Sequence, residues 1–469
     1  MCAWYSAPSA RGRGTTRLAV AALMSGLVAA GVMVAAGPAA AEGAPQSPGG
    51  ATATLGGLKV HGTAVVHDDN GDRRIPAGLF EMSVDGGGTL QTYCIDLHNP
   101  TQQDARYHET PWSGTSLATN KNAGKIRWIL QNSYPQVNDL AALAAKAGVR
   151  NLTEQDAAVG TQVAIWRYSD GADVDAVDPE AEKLADYLEK NARDLPEPRA
   201  SLTLDPPAVS GHPGERIGPV TVRTDADSVT LTPPAGAATS GVRIVDENGE
   251  EITSAADGSR VFFEVPEDSA DGAATLTAQA STTVPVGRAF TSDSRSQTQI
   301  LAGSSESTVA ATARVTWAAQ GAIPALSATK NCAKGGLDIT AANKGDEPFS
   351  FELMGIRHTV AAGTSRTVTI PLQEDQAYDF TISGPGGLGQ RFTGVLDCET
   401  QGSPAGTAAR TLSEPSPVTV GAPAPSADTN LADTGGTDTT PMIAAGGLSL
   451  LVLGATVLSI VRKQRATQD

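Results

Sequence analysis

The chain has 469 residues and carries 51 acidic against 34 basic side chains, a net charge of −17. That length is too great for a single core, so roughly two to four folded units are expected. The acidic balance argues against a nucleic-acid partner, which calls for a basic face. There are 50 glycines and 29 prolines, and aromatics are only 4% of the chain, so long turns and linkers are expected. The composition, rich in Ala and poor in Lys, points to a high-GC bacterium.

Residues 1–41 read as a secretory signal peptide. Arg11, Arg13 and Arg17 form its charged region, Leu18 to Ala36 is nearly unbroken apolar, and small residues precede Glu42. An exported protein can hold disulfides. Of Cys2, Cys94, Cys332 and Cys398, the first falls in the removed segment. Cys332 and Cys398 bracket one β-rich block and are expected to pair, which leaves Cys94 over. Taken alone, Cys94 reads as a buried free thiol or as one half of an intermolecular disulfide.

Residues 53–195 pass from strand patterns to helical ones, an α+β domain. Val60 to Val66 is rich in β-branched residues. Asp68 to Asp72 reads as a plain turn; its acidic spacing lacks the glutamate and flanking helices of a calcium loop. Phe80 to Val84 and Leu90 to Leu97 form a hairpin about Asp85 to Gly88, which puts Cys94 on a strand. Helices are expected over Asn122 to Ser133, over Leu140 to Ala147 with Gly148 as C-cap, and over Pro179 to Arg193. Thr153 and Asp156 make a capping box for a further helix running to about Ser169. On it, Gln162 and Trp166 share a face with Ala158 and Ile165. The small residues Gly160, Thr161 and Ala164 would let another backbone come close, as a strand bearing Cys94 requires.

Two segments, Tyr93-Cys94-Ile95-Asp96 and Thr161-Gln162-Val163-Ala164-Ile165-Trp166, together resemble the cysteine segment and TQxA signature of bacterial surface thioester domains. The resemblance covers roughly residues 55–195. It implies a β-sandwich or barrel with a helical subdomain, and a bond inside the protein. The sulfur of Cys94 attacks the side-chain carbonyl of Gln162, ammonia leaves, and a thioester remains. An amine on another macromolecule can open that bond and stay attached. Such capture happens once per molecule, so no enzyme, cofactor or metal is expected. Tyr93, Thr161, Ala164 and Trp166 are the expected surroundings, with Tyr93 and Trp166 shielding the bond from water. Asp96, His98 and His108 are candidate proton carriers; the family's motif fixes none of them.

Pro196-Glu197-Pro198 marks a linker. Residues 200–320 hold short β-branched runs punctuated by Gly, Pro and Asp, the pattern of a β-sandwich. No lysine occurs between Lys190 and Lys330, which excludes a Lys–Asn crosslink within an isolated domain there. Residues 328–400 read as a smaller β-domain closed by Cys332 and Cys398; a loop of that length contributes about 4 kcal/mol in the chain-entropy model. Residues 401–430 are a Pro/Ser/Ala-rich stalk. The whole is therefore expected to be multidomain and mostly β.

Leu431-Ala432-Asp433-Thr434-Gly435 resembles the LAxTG form of the LPXTG-like sorting signal, and 431–469 has the expected order. An apolar run over 441–461 is long enough to span a bilayer, and Arg462, Lys463 and Arg465 follow. The resemblance implies a sortase that cleaves between Thr434 and Gly435 and links Thr434 to peptidoglycan, in the cell wall of a Gram-positive actinobacterium. Two other readings compete for the N-terminal part. One is a wall-anchored noncovalent adhesive or structural module with an inert Cys94. The other is a cysteine hydrolase using His98 or His108, although no hydrolase signature surrounds Cys94.

Overall fold

A computed structural model describes residues 49–69 and 71–400. The expected signal peptide (1–41), stalk (401–430) and sorting signal (431–469) lie outside the described residues, and so does Cys2. Among the described residues, no helix is long and apolar enough to cross a membrane.

The first strands are β1 (Thr52–Asp68), β2 (Gly71–Val84), β3 (Thr89–Cys94) and β4 (Arg106–Thr110). Four helices follow: α1 (Ala123–Asn132), α2 (Leu140–Ala147), α3 (Glu154–Ser169) and, after the short strand β5 (Val174–Ala176), α4 (Pro179–Asn191). Their ends are set locally. Asp139 caps α2 and Gly148 ends it with φ 70°, a left-handed turn that glycine adopts freely. Thr153 and Asp156 close the capping box of α3, and Asp178 with Pro179 opens α4.

The next block contains β6 (Leu202–Asp205), β7 (Ala208–Gly211), β8 (Arg216–Thr224), β9 (Val229–Thr232), β10 (Arg243–Val245), β11 (Ser254–Ala255), β12 (Arg260–Glu264) and β13 (Gly272–Thr283). Then come β14 (Ala289–Ser292), β15 (Gln299–Ser304) and β16 (Glu306–Trp317). One sheet runs β10-β12-β8-β6 and the other β11-β9-β13-β16-β7, and together they make the expected sandwich.

The block does not, however, stand alone. Strands β14 and β15 leave it and enter a sheet ordered β2-β3-β15-β14-β4-β1-β5. Because β1 also pairs with β2, six of these strands close into a barrel, with β5 attached outside on β1. The expected boundary between 53–195 and 200–320 is thus not a boundary between sheets. The physical reason is edge pairing: without β14 and β15, β3 and β4 would leave backbone groups unpaired in a buried setting. The expected linker at Pro196 to Pro198 is also pinned. Buried Arg288 binds both Glu109 (2.8 Å) and Glu197 (2.8 Å), and the Trp112 N–H donates to Glu197.

Two large cores result. One lies between the barrel and the helices, and includes Leu79, Tyr93, Ile126, Leu143, Val163, Trp166, Leu184 and Ile300. The other includes Met82, Leu90, Tyr107, Phe290 and Leu301 from the barrel strands and continues into the sandwich through Leu204, Val222, Phe263, Leu276 and Val315. On β3 the side chains alternate, so Thr92 and Cys94 share one face and Tyr93 takes the other.

The last module begins at Pro324 rather than 328. It comprises β17 (Pro324–Asn331), β18 (Gly336–Asn343), β19 (Phe349–Leu353), β20 (Ile356–Val360), β21 (Ser365–Pro371), β22 (Ala377–Ser383) and β23 (Gly389–Val395). Strands β17, β18 and β21 form one sheet, and β19–β20 and β22–β23 are hairpins. Cys332, just past β17, is bonded to Cys398, just past β23. Next to that disulfide, the Asp397 carboxylate accepts a hydrogen bond from Thr298 Oγ1 (2.7 Å), one residue before β15.

Candidate functional site

Cys94 is the last residue of β3 and the one free cysteine among the described residues. On the β15 side its cross-strand partner is Gln299. On the other side β2 has turned away, since its pairing with β3 stops at Phe80 and Thr92. The backbone of Cys94 would be unpaired there. Gln162, from α3, fills that gap. Its Oε1 accepts from the Cys94 N–H (3.0 Å) and its Nε2 donates to the Cys94 carbonyl (2.8 Å). The side-chain amide therefore takes the place of a missing strand and is held at both ends against the cysteine.

The surroundings are closed. Cys94 is 2% exposed and Gln162 is 0% exposed. Helix α3 is buried on all sides from Ala157 through Trp166, so it is a central helix rather than one with a single apolar face. Thr161, Ala164 and Trp166 are all buried on it, and the Trp166 indole N–H has no partner among the described residues. Tyr93 is buried behind the cysteine, and its hydroxyl donates to the Tyr134 carbonyl (2.9 Å). Thr161 Oγ1 donates to the Ala157 carbonyl (2.6 Å). Gly160 serves a different neighbour from the one expected. A Cβ there would sit 2.5 Å from the Ala181 carbonyl, so its small size admits α4 and not the strand of Cys94.

The candidate proton carriers separate clearly. His98 is exposed. Both ring nitrogens of His108 are engaged elsewhere, Nδ1 with Thr52 (3.1 Å) and Nε2 with Asp293 (2.9 Å). Asp96 is buried next to the cysteine, where it accepts from the backbone of His98 and from Asn99. Asp170, which the sequence reading passed over, accepts from the Leu97 N–H (2.9 Å) on the same turn. Burial raises the Asp96 carboxyl to about 7, against the opposing hydrogen bond from Asn99. Burial likewise raises Asp170 to about 7, against a hydrogen bond from Ser169. Burial also pushes the Cys94 thiol well up. A hydrogen bond from Gln299 opposes that shift, and the charges of Asp96 and Asp170 reinforce it.

Gln299 is the second residue that the sequence reading missed. It is 0% exposed, and its Nε2 donates to Cys94 Sγ at 3.1 Å. No local pattern marks it, because its partner is 205 positions away in the chain.

Residues 91–194 match the family model of the thioester domain, a span that contains both Cys94 and Gln162. Residues 309–395, from within β16 through β23, match the C-terminal domain of bacterial phospholipase C. No curated protein matches the chain. Among solved structures, the Bacillus anthracis TIE protein is 16% identical with a TM-score of 0.26; the match covers 67% of this chain and 63% of that one. The thioester domain of the Enterococcus faecium TIE86 protein is 17% identical with a TM-score of 0.28, covering 57% of this chain and 96% of that one. The Escherichia coli chaperone DraB is 12% identical with a TM-score of 0.16, covering 42% of this chain and 98% of that one.

Proposed function

We propose that this chain is a surface adhesin, anchored to the cell wall through Thr434, that captures amine-bearing partners covalently through a thioester between Cys94 and Gln162. One observation carries the reading: the side-chain amide of Gln162 is clamped by two hydrogen bonds on the backbone of Cys94 in a buried core. Holding the two reactants in register replaces a bimolecular encounter.

In the forming step, Sγ bonds to Cδ of Gln162 and the Cδ–Nε2 bond breaks. The thiol proton ends on the departing ammonia. As charge develops on Oε1, the Cys94 N–H already aimed at that oxygen stabilises it. Asp96 and Asp170, whose carboxyls burial raises to about 7, are the candidate carriers of that proton. In the capture step a primary amine bonds to Cδ, the C–S bond breaks, and the sulfur regains a proton. Tyr93 and Trp166 keep water from the bond before the amine arrives. Nothing is regenerated, so the protein acts once and not as an enzyme. Export, sortase processing and linkage to peptidoglycan belong to the same proposal and rest on the sequence motifs at the two ends.

The test is incorporation of labelled methylamine, mapped by peptide mass spectrometry. Label on the peptide containing Gln162, lost in Cys94→Ala and in Gln162→Ala, is the expected result. An unlabelled Gln162 in the wild-type chain would instead favour a noncovalent adhesive with an inert thiol.

A further inference from the structure

Two glutamines are buried against Cys94, and they are not equivalent. Gln162 takes both backbone groups of the cysteine. The pair Cys94 and Gln299 across β3 and β15 is therefore left without backbone hydrogen bonds to each other, the type of cross-strand pair whose side chains approach most closely. Gln299 uses that proximity to place its Nε2 3.1 Å from Sγ. Its other end is fixed as well, since Thr92 Oγ1 donates to Gln299 Oε1 at 3.0 Å.

We infer that Gln299 is a third member of the reactive centre, a donor that holds the Cys94 sulfur and stabilises it as thiolate both when the thioester forms and when an amine expels it. The inference rests on the thioester reading above. It goes beyond that reading because Gln299 lies outside 91–194 and enters the site only through the barrel strand β15.

Three physical points support it. A fully buried primary amide is costly unless both ends are hydrogen-bonded, so a side chain kept only for packing at this position would be apolar. The amide is also oriented by chemistry. A thioester sulfur has no proton to give, so only the Nε2 edge can satisfy it, while the Thr92 hydroxyl can donate to Oε1. Finally, the charge balance of both steps passes through sulfur. In formation the thiol loses its proton before the S–C bond closes. In capture the electron pair of the breaking C–S bond returns to sulfur as the amide N–C bond forms. In a dry core, an N–H already pointing at that atom stabilises the charge without reorganisation. Hydrogen bonds to charged groups contribute roughly ten- to a hundredfold in such equilibria and rates.

The test uses the full chain and the variants Gln299→Leu and Gln299→Glu, with the rate of thioester opening by methylamine read by mass relative to wild type at each pH. The Gln299→Leu variant is expected to open roughly ten- to a hundredfold more slowly. The Gln299→Glu variant keeps an acceptor for Thr92. Its shortfall should be large where the new carboxyl is ionised and shrink as the pH falls, because a protonated carboxyl can again donate to sulfur. A purely structural role would give a shortfall that does not vary with pH, and that result, or wild-type rates in both variants, would overturn the inference. A second arm does not need the thioester at all. In a Gln162→Ala background Cys94 stays a thiol, and adding Gln299→Leu should move its alkylation profile to higher pH by about one unit or more. An unmoved profile would overturn the inference even if the wild-type chain proves to hold no thioester. A moved profile in a chain without a thioester would sink the functional reading and leave the sulfur contact standing.

Discussion

In the sandwich, Val220, Val222 and Phe263 of one sheet and Leu276, Ala311 and Val315 of the other belong to one apolar core, all 1% exposed or less. Where β3 meets α3, Thr92, Asp96, Thr161, Gln162 and Gln299 are buried equally deeply. The first region gains from burial directly. The second loses hydration at every polar group and must recover it through fixed hydrogen bonds. The sandwich is a brace, whereas the junction keeps polar atoms dry and aimed.

Separating the two regions has the largest expected effect. A chain ending at residue 199 loses β14 and β15, two of the six barrel strands, and exposes the edges of β3 and β4. It is expected to show no cooperative unfolding transition by circular dichroism. A sharp two-state melt of that fragment would mean that the barrel is dispensable.

The next effect separates stability from chemistry. Leu276→Ala in the sandwich should cost about 2–5 kcal/mol in urea unfolding and leave methylamine capture intact. Gln162→Ala leaves the Cys94 N–H and carbonyl without their partner and should cost a comparable ~2–5 kcal/mol while abolishing capture.

A third prediction concerns pH. Asp96 and Asp170 sit at about 7 in the folded chain against an ordinary 3.8, both raised by burial. The folded state therefore holds these protons more tightly than the unfolded chain. Their stabilisation is complete below about 4 and is lost as pH rises through about 7, at no more than ~1.4 kcal/mol per unit for each group. The urea midpoint should fall between pH 5 and pH 7.5. Asp170→Asn should flatten that fall by its own share only, because Glu374, raised by burial to about 7, adds to the same slope. A midpoint that rises over this range would contradict the buried setting of these carboxyls.

The smallest effect is at the contact with the last module. Thr298→Val removes the hydrogen bond to Asp397 and should cost about 1–3 kcal/mol, with capture retained. Complete loss of capture in that variant would show that the third module sets the geometry of the site.

Much of the junction was legible in the sequence. Helix α3 announces itself through Thr153 and Asp156, and its observed capping box is the one the spacing implies. Tyr93-Cys94 and Thr161-Gln162 carry a paired motif, and α2 was bounded by its own Gly148. What could not be read was non-local. The strands β14 and β15 are short and have no β-branched alternation, so their membership of the barrel is decided by the edges they cover. Gln299 looks like any polar residue until β15 pairs with β3. Gly160 marks a point of close approach in the sequence, yet only packing decides that the neighbour is α4 and not the strand of Cys94. His108 has the right chemistry for a base and the wrong location, tied to Thr52 and Asp293.

The most direct test is the intact mass of the freshly purified full chain, compared with its Cys94→Ala variant after correction for the substitution. The account predicts that the wild-type chain is lighter by one ammonia and becomes heavier by one methylamine on treatment. Equal corrected masses, with Cys94 alkylated quantitatively once the chain is unfolded, would contradict it.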